Sequence, residues 1–406
     1  MSPAPQPLAG IRVLDLSRVL AGPLCGMVLA DLGAEVVKIE HPGRGDDTRD
    51  WGARIGAPGD GSSDTSYYYS VNRNKQSLAL DLDSADGRAI VRRLAAQSDV
   101  VIENFRTGGA EKLGVGYGDL SAGNPGLVYC SISGYDRSGP EAARPGYDLV
   151  IQGEAGLMAM NGEAGRPPLK FGIAAVDLFT GMYAAQAIMA VLLERTRTGR
   201  GRHVELALFD CGLMITAYCG LEALVLGRDP PRYGNAHPAI VPYGVFDAAD
   251  GPLVITVGNN QQFGRFCREV IGRPDLADDP RFATNLDRST HREALLPQIR
   301  AELGRRGRVD LLAALGRCGI PCGEVLGLLE ALQSPRATGA GLVTRQPHPQ
   351  AGEAPVLAPP YRFDGQRSEI RARPPQLGEH SDQILRDRLG ATEAELAAWR
   401  ERGVVR

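Results

Sequence analysis

Short apolar strands alternate with helical stretches along roughly the first 200 residues, and that alternation leaves few folds open. Ile11-Arg-Val-Leu-Asp-Leu16 reads as a strand, Leu24 to Leu32 as a helix after the Gly22-Pro23 break, and Ala34-Glu-Val-Val-Lys-Ile-Glu40 as a second strand. Parallel strands need a long crossover between them, so this βαβ unit predicts a parallel sheet covered by helices. The pattern recurs in strand Ser77–Leu82, helix 84–97, strand Asp99–Glu103, strand Leu127–Ile132 and strand His203–Leu208. The expected fold class is α/β, with a doubly wound parallel-sheet large domain.

The texture changes after about residue 227. Leu253-Val-Ile-Thr-Val257 is a strand, Gly258-Asn-Asn-Gln-Gln-Phe263 a polar turn, and short helices follow. The expected division is a large α/β domain over 1–225, a smaller α+β domain over 226–329, and a segment 330–406 that returns to the large domain. The chain should close with polar helices over Ser381–Leu389 and near 392–402. Gly43-Arg-Gly-Asp-Asp-Thr-Arg49 and the stretch from Gly52 to Ser66 read as long polar loops, a type that often lines sites.

Composition excludes some classes. Lys plus Arg is 45 against 48 for Asp plus Glu, a net charge of −3, which argues against a binder of nucleic-acid backbones. The start, Met1-Ser-Pro-Ala-Pro-Gln-Pro-Leu8, has neither a basic region nor an apolar core, so no signal peptide is expected. The most apolar helical run, Tyr183–Leu193, falls short of the roughly 20 residues that span a bilayer. Seven scattered cysteines fit a reducing cytoplasm, and the six histidines show no metal spacing, so no metal site is expected.

The run Lys170-Phe-Gly-Ile-Ala-Ala-Val-Asp177-Leu-Phe-Thr-Gly reads as strand, turn and helix, with an acid at the turn. Helix N–H groups and the dipole there should keep Asp177 ionised. Asp is also a preferred helix cap, so local sequence leaves cap and nucleophile equally open. Basic residues fall near strand ends: Lys38, Arg44, Arg49, Arg73, Lys75, Arg106 and Lys112. Open α/β sheets bind ligands there, and a nucleotide with several phosphates fits such a cluster. There is no Gly-x-Gly-x-x-Gly after the first strand, no P-loop and no Gly-x-Ser-x-Gly elbow.

Taken together, the segments Asp15-Leu-Ser-Arg-Val-Leu-Ala-Gly-Pro23, Ala30-Asp-Leu-Gly-Ala-Glu-Val-Val-Lys-Ile-Glu40, Gly45-Asp-Asp-Thr-Arg49, Val71-Asn-Arg-Asn-Lys75, Glu103-Asn-Phe-Arg106, Ser131-Ile-Ser-Gly-Tyr135, Arg144-Pro-Gly-Tyr-Asp148 and Thr198-Gly-Arg-Gly-Arg202 carry a resemblance. The chain resembles the class III CoA-transferase family along its whole length. That family includes formyl-CoA transferase, carnitine CoA-transferase and α-methylacyl-CoA racemase. The resemblance implies an interlocked homodimer and makes Asp177 the nucleophile. It places Val19, Leu20, Ala21, His41, Lys112 and Asp148 along the path of the CoA thioester, which is a substrate and not a permanently bound cofactor. His41 and Lys112 replace arginines of formyl-CoA transferase, and Arg44 or Arg73 would compensate. Gly258-Asn-Asn-Gln261 takes the place of a Gly-rich lid but has one glycine.

Asp177 would attack the acyl-CoA carbonyl to form a mixed aspartyl anhydride. Segments Gly234–Tyr243 and Gly258–Phe263 look most like the branch that moves CoA from succinyl-CoA to dicarboxylic acids, with His237 or Arg73 as the partner of a second carboxylate. Two alternatives stand beside this. A racemase or epimerase would use a His-Asp pair, where this chain has Tyr147-Asp148, and an unperturbed phenol, titrating near about 10, is a poor base. A catalytically silent acyl-CoA-binding protein would leave thioesters intact.

Overall fold

The computed structural model describes residues 6–56 and 64–406. The first residues of the chain, and the part of the Gly52–Ser66 loop from 57 to 63, lie outside the described residues. Two compact units are present. Among the described residues, the first holds those up to Leu157 together with 170–222 and 335–406, and the second holds 158–169 and 223–334.

The first unit contains strands β1 (Arg12–Asp15), β2 (Glu35–Glu40), β3 (Lys75–Ala79), β4 (Val100–Glu103), β5 (Val128–Ser133) and β6 (His203–Ala207). Its helices up to residue 226 are α1 (Ala21–Asp31), α2 (Ser66–Ser70), α3 (Ala85–Ala95), α4 (Gly109–Lys112), α5 (Tyr117–Ser121), α6 (Asp148–Glu154), α7 (Leu157–Met160), α8 (Ala175–Thr198), α9 (Leu208–Met214) and α10 (Ala217–Leu226), of which α7 and α10 run on into the second unit. The six strands form one parallel sheet in the order β3-β2-β1-β4-β5-β6. The chain reverses direction across the sheet between β1 and β4, and ligands of such sheets bind outside the carboxyl ends of the strands at that point.

Side-chain alternation gives the sheet two unlike faces. Leu14, Leu16, Val37, Ile39, Leu78 and Val101 pack with α3 and with the helices Ser381–Leu389 and Glu393–Glu401, through Ile90, Leu94, Leu385 and Trp399. The C-terminal segment is stitched to β3 by His380 N donating to Ser77 O at 3.1 Å and by a bridge between Leu80 and Val405. The opposite face carries charge. Lys75 pairs with Asp15 at 2.9 Å and Lys38 with Asp46 at 2.9 Å, all buried. Helix α1 can lie over this face because Gly26 has no side chain: a Cβ there would stand 2.9 Å from Asp15 Oδ2.

The stretch before Asp177 is not a strand. It has no sheet partner, and Phe171 and Ile173 are exposed. Helix α8 has 24 residues and is long and apolar enough to cross a membrane by length and composition. Half of it is buried in the fold, with Val176, Thr180, Ala184 and Ile188 inward, so it serves as a core helix of this unit.

In the second unit, β7 (Tyr243–Ala248), β8 (Gly251–Thr256) and β9 (Cys322–Glu324) form an antiparallel sheet. Its core is Phe246, Leu253, Ile255, Phe266, Leu295, Ile299 and Leu311. The segment 158–169 belongs here and not to the large domain assigned from sequence. Arg232 donates to the carbonyls of Arg166 and Pro167, and Gly234 N donates to Gly162 O. Residues Gly258–Phe263 are not simply a turn: α11 (Asn260–Arg265) starts there, with Asn259 accepting from Gln262 N.

Candidate active site

Asp177 is the third residue of α8, and the helix N-cap is Ala174, which makes no side-chain capping bond. The plain capping reading of Asp177 therefore does not hold. Asp148, at the start of α6, does the capping: its Oδ1 accepts from Val176 N at 2.8 Å and from Asp177 N at 3.3 Å. The Asp177 side chain is 9% exposed. Burial pushes its carboxyl up to about 7, and the negative charge of Asp148 adds to the rise. The helix terminus was expected to keep it ionised, but desolvation and a like charge outweigh the dipole. Among the described residues no ion pair to Asp177 is present.

Asp177 lines a cavity of about 140 Å³ at the carboxyl ends of β1, β4 and β5. Val19, Leu20 and Ala21 form one wall. Val19 has φ +74°, a conformation that β-branched residues rarely adopt, and its N–H points at Asp46 at 3.2 Å. The buried Lys38–Asp46 pair holds that strained turn in place. Leu20 gives α1 no side-chain cap, and its first turn holds no acid, so this helix N-terminus meets the cavity with its partial positive charge uncompensated. Gly134 and Gly146 form another wall, where a Cβ on Gly134 would stand 2.7 Å from Gly146 Cα.

A second cavity, of about 430 Å³, is lined by His41 and Arg44. Arg18, Phe105 and Arg106 line both cavities, which therefore lie side by side along the sheet's carboxyl edge. Arg18 and Asn104 exchange backbone–side-chain bonds, Arg18 N to Asn104 Oδ1 at 2.9 Å and Asn104 Nδ2 to Arg18 O at 2.7 Å, which fixes this junction.

The expected contacts thus divide. Val19, Leu20, Ala21 and Asp177 share one cavity, His41 and Arg44 line its neighbour, and Asp148 stands behind the start of α8. Lys112 is exposed on α4 and lines neither cavity, although Gly109 and Leu113 beside it do. Arg73 is a correction: it is buried and bonded to Asp31 through Nε at 3.0 Å and Nη2 at 2.5 Å, so it cannot supply a free guanidinium. The proposed phosphate-binding cluster loses Lys38, Arg49 and Lys75 in the same way, each paired in the interior. His237 lies in the second unit, and its Nδ1 accepts from Ala239 N and Ile240 N, both at 3.1 Å. Gln262 ties the expected lid segment by accepting from Gly258 N and donating to Gly319 O, both at 2.9 Å.

Arg18, Arg144 and Tyr147 were not picked out as binding residues. The signal was present, because each falls inside a segment that carried the resemblance. Tyr67, on α2, also faces the acid: burial first, then the charges of Asp177 and Asp148, push its phenol upward.

Comparison with known proteins agrees with this architecture. The model of the CoA-transferase family III matches residues 8–381. The chain is 41% identical to the succinate–glutarate CoA-transferase of Agrobacterium fabrum, over 93% of this chain and 95% of that one. It is 38% identical to the succinyl-CoA:glutarate CoA-transferase of Mus musculus, over 98% and 90%. The crystal structure of a CaiB/BaiF family protein from Brucella suis superposes with a TM-score of 0.84 at 41% identity, covering 94% of this chain and 99% of that one. With a family match along most of its length and relatives of this identity, the chain belongs to CoA-transferase family III and is a CoA-transferase.

Proposed function

We propose that the protein moves CoA from succinyl-CoA to a dicarboxylic acid through a mixed anhydride on Asp177. The observation that carries this is the placement of Asp177: a buried carboxylate with no counter-ion among the described residues, opening into a cavity that shares a wall with the one lined by His41 and Arg44. An acid stabilised by a cation would be a poor nucleophile, and this one is not so stabilised. The relatives named for succinyl-CoA and glutarate support the substrate class.

A carboxylate oxygen of Asp177 attacks the thioester carbonyl. The C–S bond breaks, the thiolate takes the electron pair, and the donor acyl group remains on Asp177 as an anhydride. The thiolate then attacks the Asp177 carbonyl and releases the donor acid, leaving an aspartyl thioester from which the acceptor carboxylate displaces CoA to form a second anhydride, or the acceptor displaces the donor acid at the Asp177 carbonyl directly. In both cases the thiolate finally attacks the acceptor's acyl carbon and Asp177 leaves as carboxylate. Either order ends with the acceptor joined to CoA and Asp177 restored. No ATP is consumed, because the thioester's energy stays in covalent form. The oxyanion of each tetrahedral intermediate would be met by the N-terminus of α1, where N–H groups carry partial positive charge beside the cavity. Burial of the site guards the anhydride from water.

Tyr147, and not a histidine, shares the cavity with Asp177, which supports transfer over racemisation. The homodimer implied by the resemblance is supported by exposed apolar residues on α9 and α10, among them Leu213, Met214, Leu221, Leu224 and Val225. All seven cysteines are free thiols, in keeping with a reducing compartment.

The test is mass spectrometry of CoA species after incubation with succinyl-CoA and a mixture of carboxylic acids, without ATP. A new acyl-CoA that disappears in Asp177→Ala supports the proposal and names the acceptor. Intact succinyl-CoA together with α-proton exchange of a branched acyl-CoA in deuterated water would put the racemase reading ahead.

A further inference from the structure

The irregular stretch that enters α8 has no sheet to hold it, yet Asp177 has to be delivered to one place. Gln152, on α6, supplies the hold. Its side chain is 0% exposed. Its Nε2 donates to Asp148 Oδ2 at 2.6 Å and to Ile173 O at 3.2 Å, and its Oε1 accepts from Phe171 N at 2.9 Å. Asp148 in turn accepts from the N–H groups of Val176 and Asp177. One amide therefore fastens both the chain entering α8 and the carboxylate that caps its first turn. Side-chain packing does not do this work, because Phe171 and Ile173 point their apolar groups to the surface.

We propose that Gln152 is a positioning residue for CoA transfer, acting on Asp177 through Asp148 and the backbone of residues 171–173. The proposal rests on the reading of Asp177 as the nucleophile. Its physical content is that an amide donates without titrating. Asp148 Oδ1 takes two N–H groups of α8 while its Oδ2 accepts from Gln152, so the amide fixes the plane of the carboxylate that caps the helix. The Gln152 N–H bond makes Asp148 an acceptor in a fixed orientation. The other charged or titratable groups lining this cavity are Arg18 before α1, Arg106 after β4, and Arg144 and Tyr147 before α6, and Tyr67 on α2 feels the charges of both acids.

The test uses the full chain with succinyl-CoA and the acid identified above, and compares Gln152→Leu, Gln152→Glu and Asp177→Asn. Gln152→Leu should lower kcat on the order of 10²-fold with KM for succinyl-CoA near the wild-type value, the effect of a misplaced reacting group. Gln152→Glu keeps the shape. While protonated it still donates to Asp148 and accepts from Phe171 N. As pH rises it loses that proton and sets a second carboxylate against Asp148, so kcat should fall in an alkaline limb that the wild type lacks. That limb decides the matter if Gln152→Leu fails to fold. A wild-type pH profile in Gln152→Glu, or wild-type kcat in Gln152→Leu, overturns the proposal while leaving Asp177 in place. Full transfer by Asp177→Asn would instead overturn the nucleophile, and with it any action of Gln152 through it.

Discussion

Asp177 sits in a place that opposes its charge, 9% exposed and beside Asp148, with its carboxyl pushed up to about 7. An unfolded Asp loses its proton near pH 4, so between roughly pH 4 and 7 the unfolded chain ionises while the folded one does not. That difference makes folding less favourable as pH rises through this window, and the loss is complete above about 7. Asp177→Asn should therefore stabilise the protein on the order of 2–4 kcal/mol at pH 8 and by much less at pH 4. Urea unfolding at the two pH values reads this directly, and an equal effect at both would refute the burial argument. The same group sets the acid side of the rate profile: kcat should rise as pH passes through about 7, followed with succinyl-CoA as donor. Sequence alone named Asp177 but erred on its ionisation. The helix dipole is visible in sequence, whereas desolvation depends on what packs around the residue. Arg73 fails for a similar reason, since its partner Asp31 lies on another element and no local pattern announces the pair.

At the scale of elements, the turn at Val19 and the start of α8 are held by buried polar groups. Lys75 and Asp15 face each other under α1 at Gly26, and Lys38 holds Asp46, which holds Val19 N. Removing one partner leaves a buried charge. Lys75→Ala should cost about 3–5 kcal/mol, read as a lower urea midpoint. Lys75→Met with Asp15→Leu together should recover much of that loss, and a double variant no better than the single one would argue against the pairing account. The strands and main helices of this region were legible in the sequence because a parallel sheet buried on both faces shows as short apolar runs. The stretch before Asp177 was misread as a strand for the same reason. Phe171, Ile173 and Val176 make an apolar run, but Gln152 takes up the backbone bonds that a sheet neighbour would have made.

At the scale of the whole chain, α10 is apolar yet has no buried residue. Leu224 and Val225 are 81% and 84% exposed, more than a soluble surface usually tolerates in one helix. The occupant proposed above is a second copy of the chain. Light scattering should give twice the mass of one chain for the wild type and a smaller mass for Leu224→Asp with Val225→Asp. A monomeric wild type with full activity would remove the dimer from the account. The change in texture near residue 227 lies close to where the second unit resumes at residue 223, but nothing in the sequence marks segment 158–169. Its tie to the second unit runs through backbone carbonyls of Arg166 and Pro167, which carry no side-chain signature.

The most direct measurement is peptide mass spectrometry of the enzyme after succinyl-CoA and hydroxylamine are added together. An aspartyl anhydride or thioester is cut by hydroxylamine to a hydroxamate, so the account predicts that mass change on the peptide carrying Asp177, dependent on succinyl-CoA. An unmodified Asp177 in enzyme that is turning over in the same sample would contradict it.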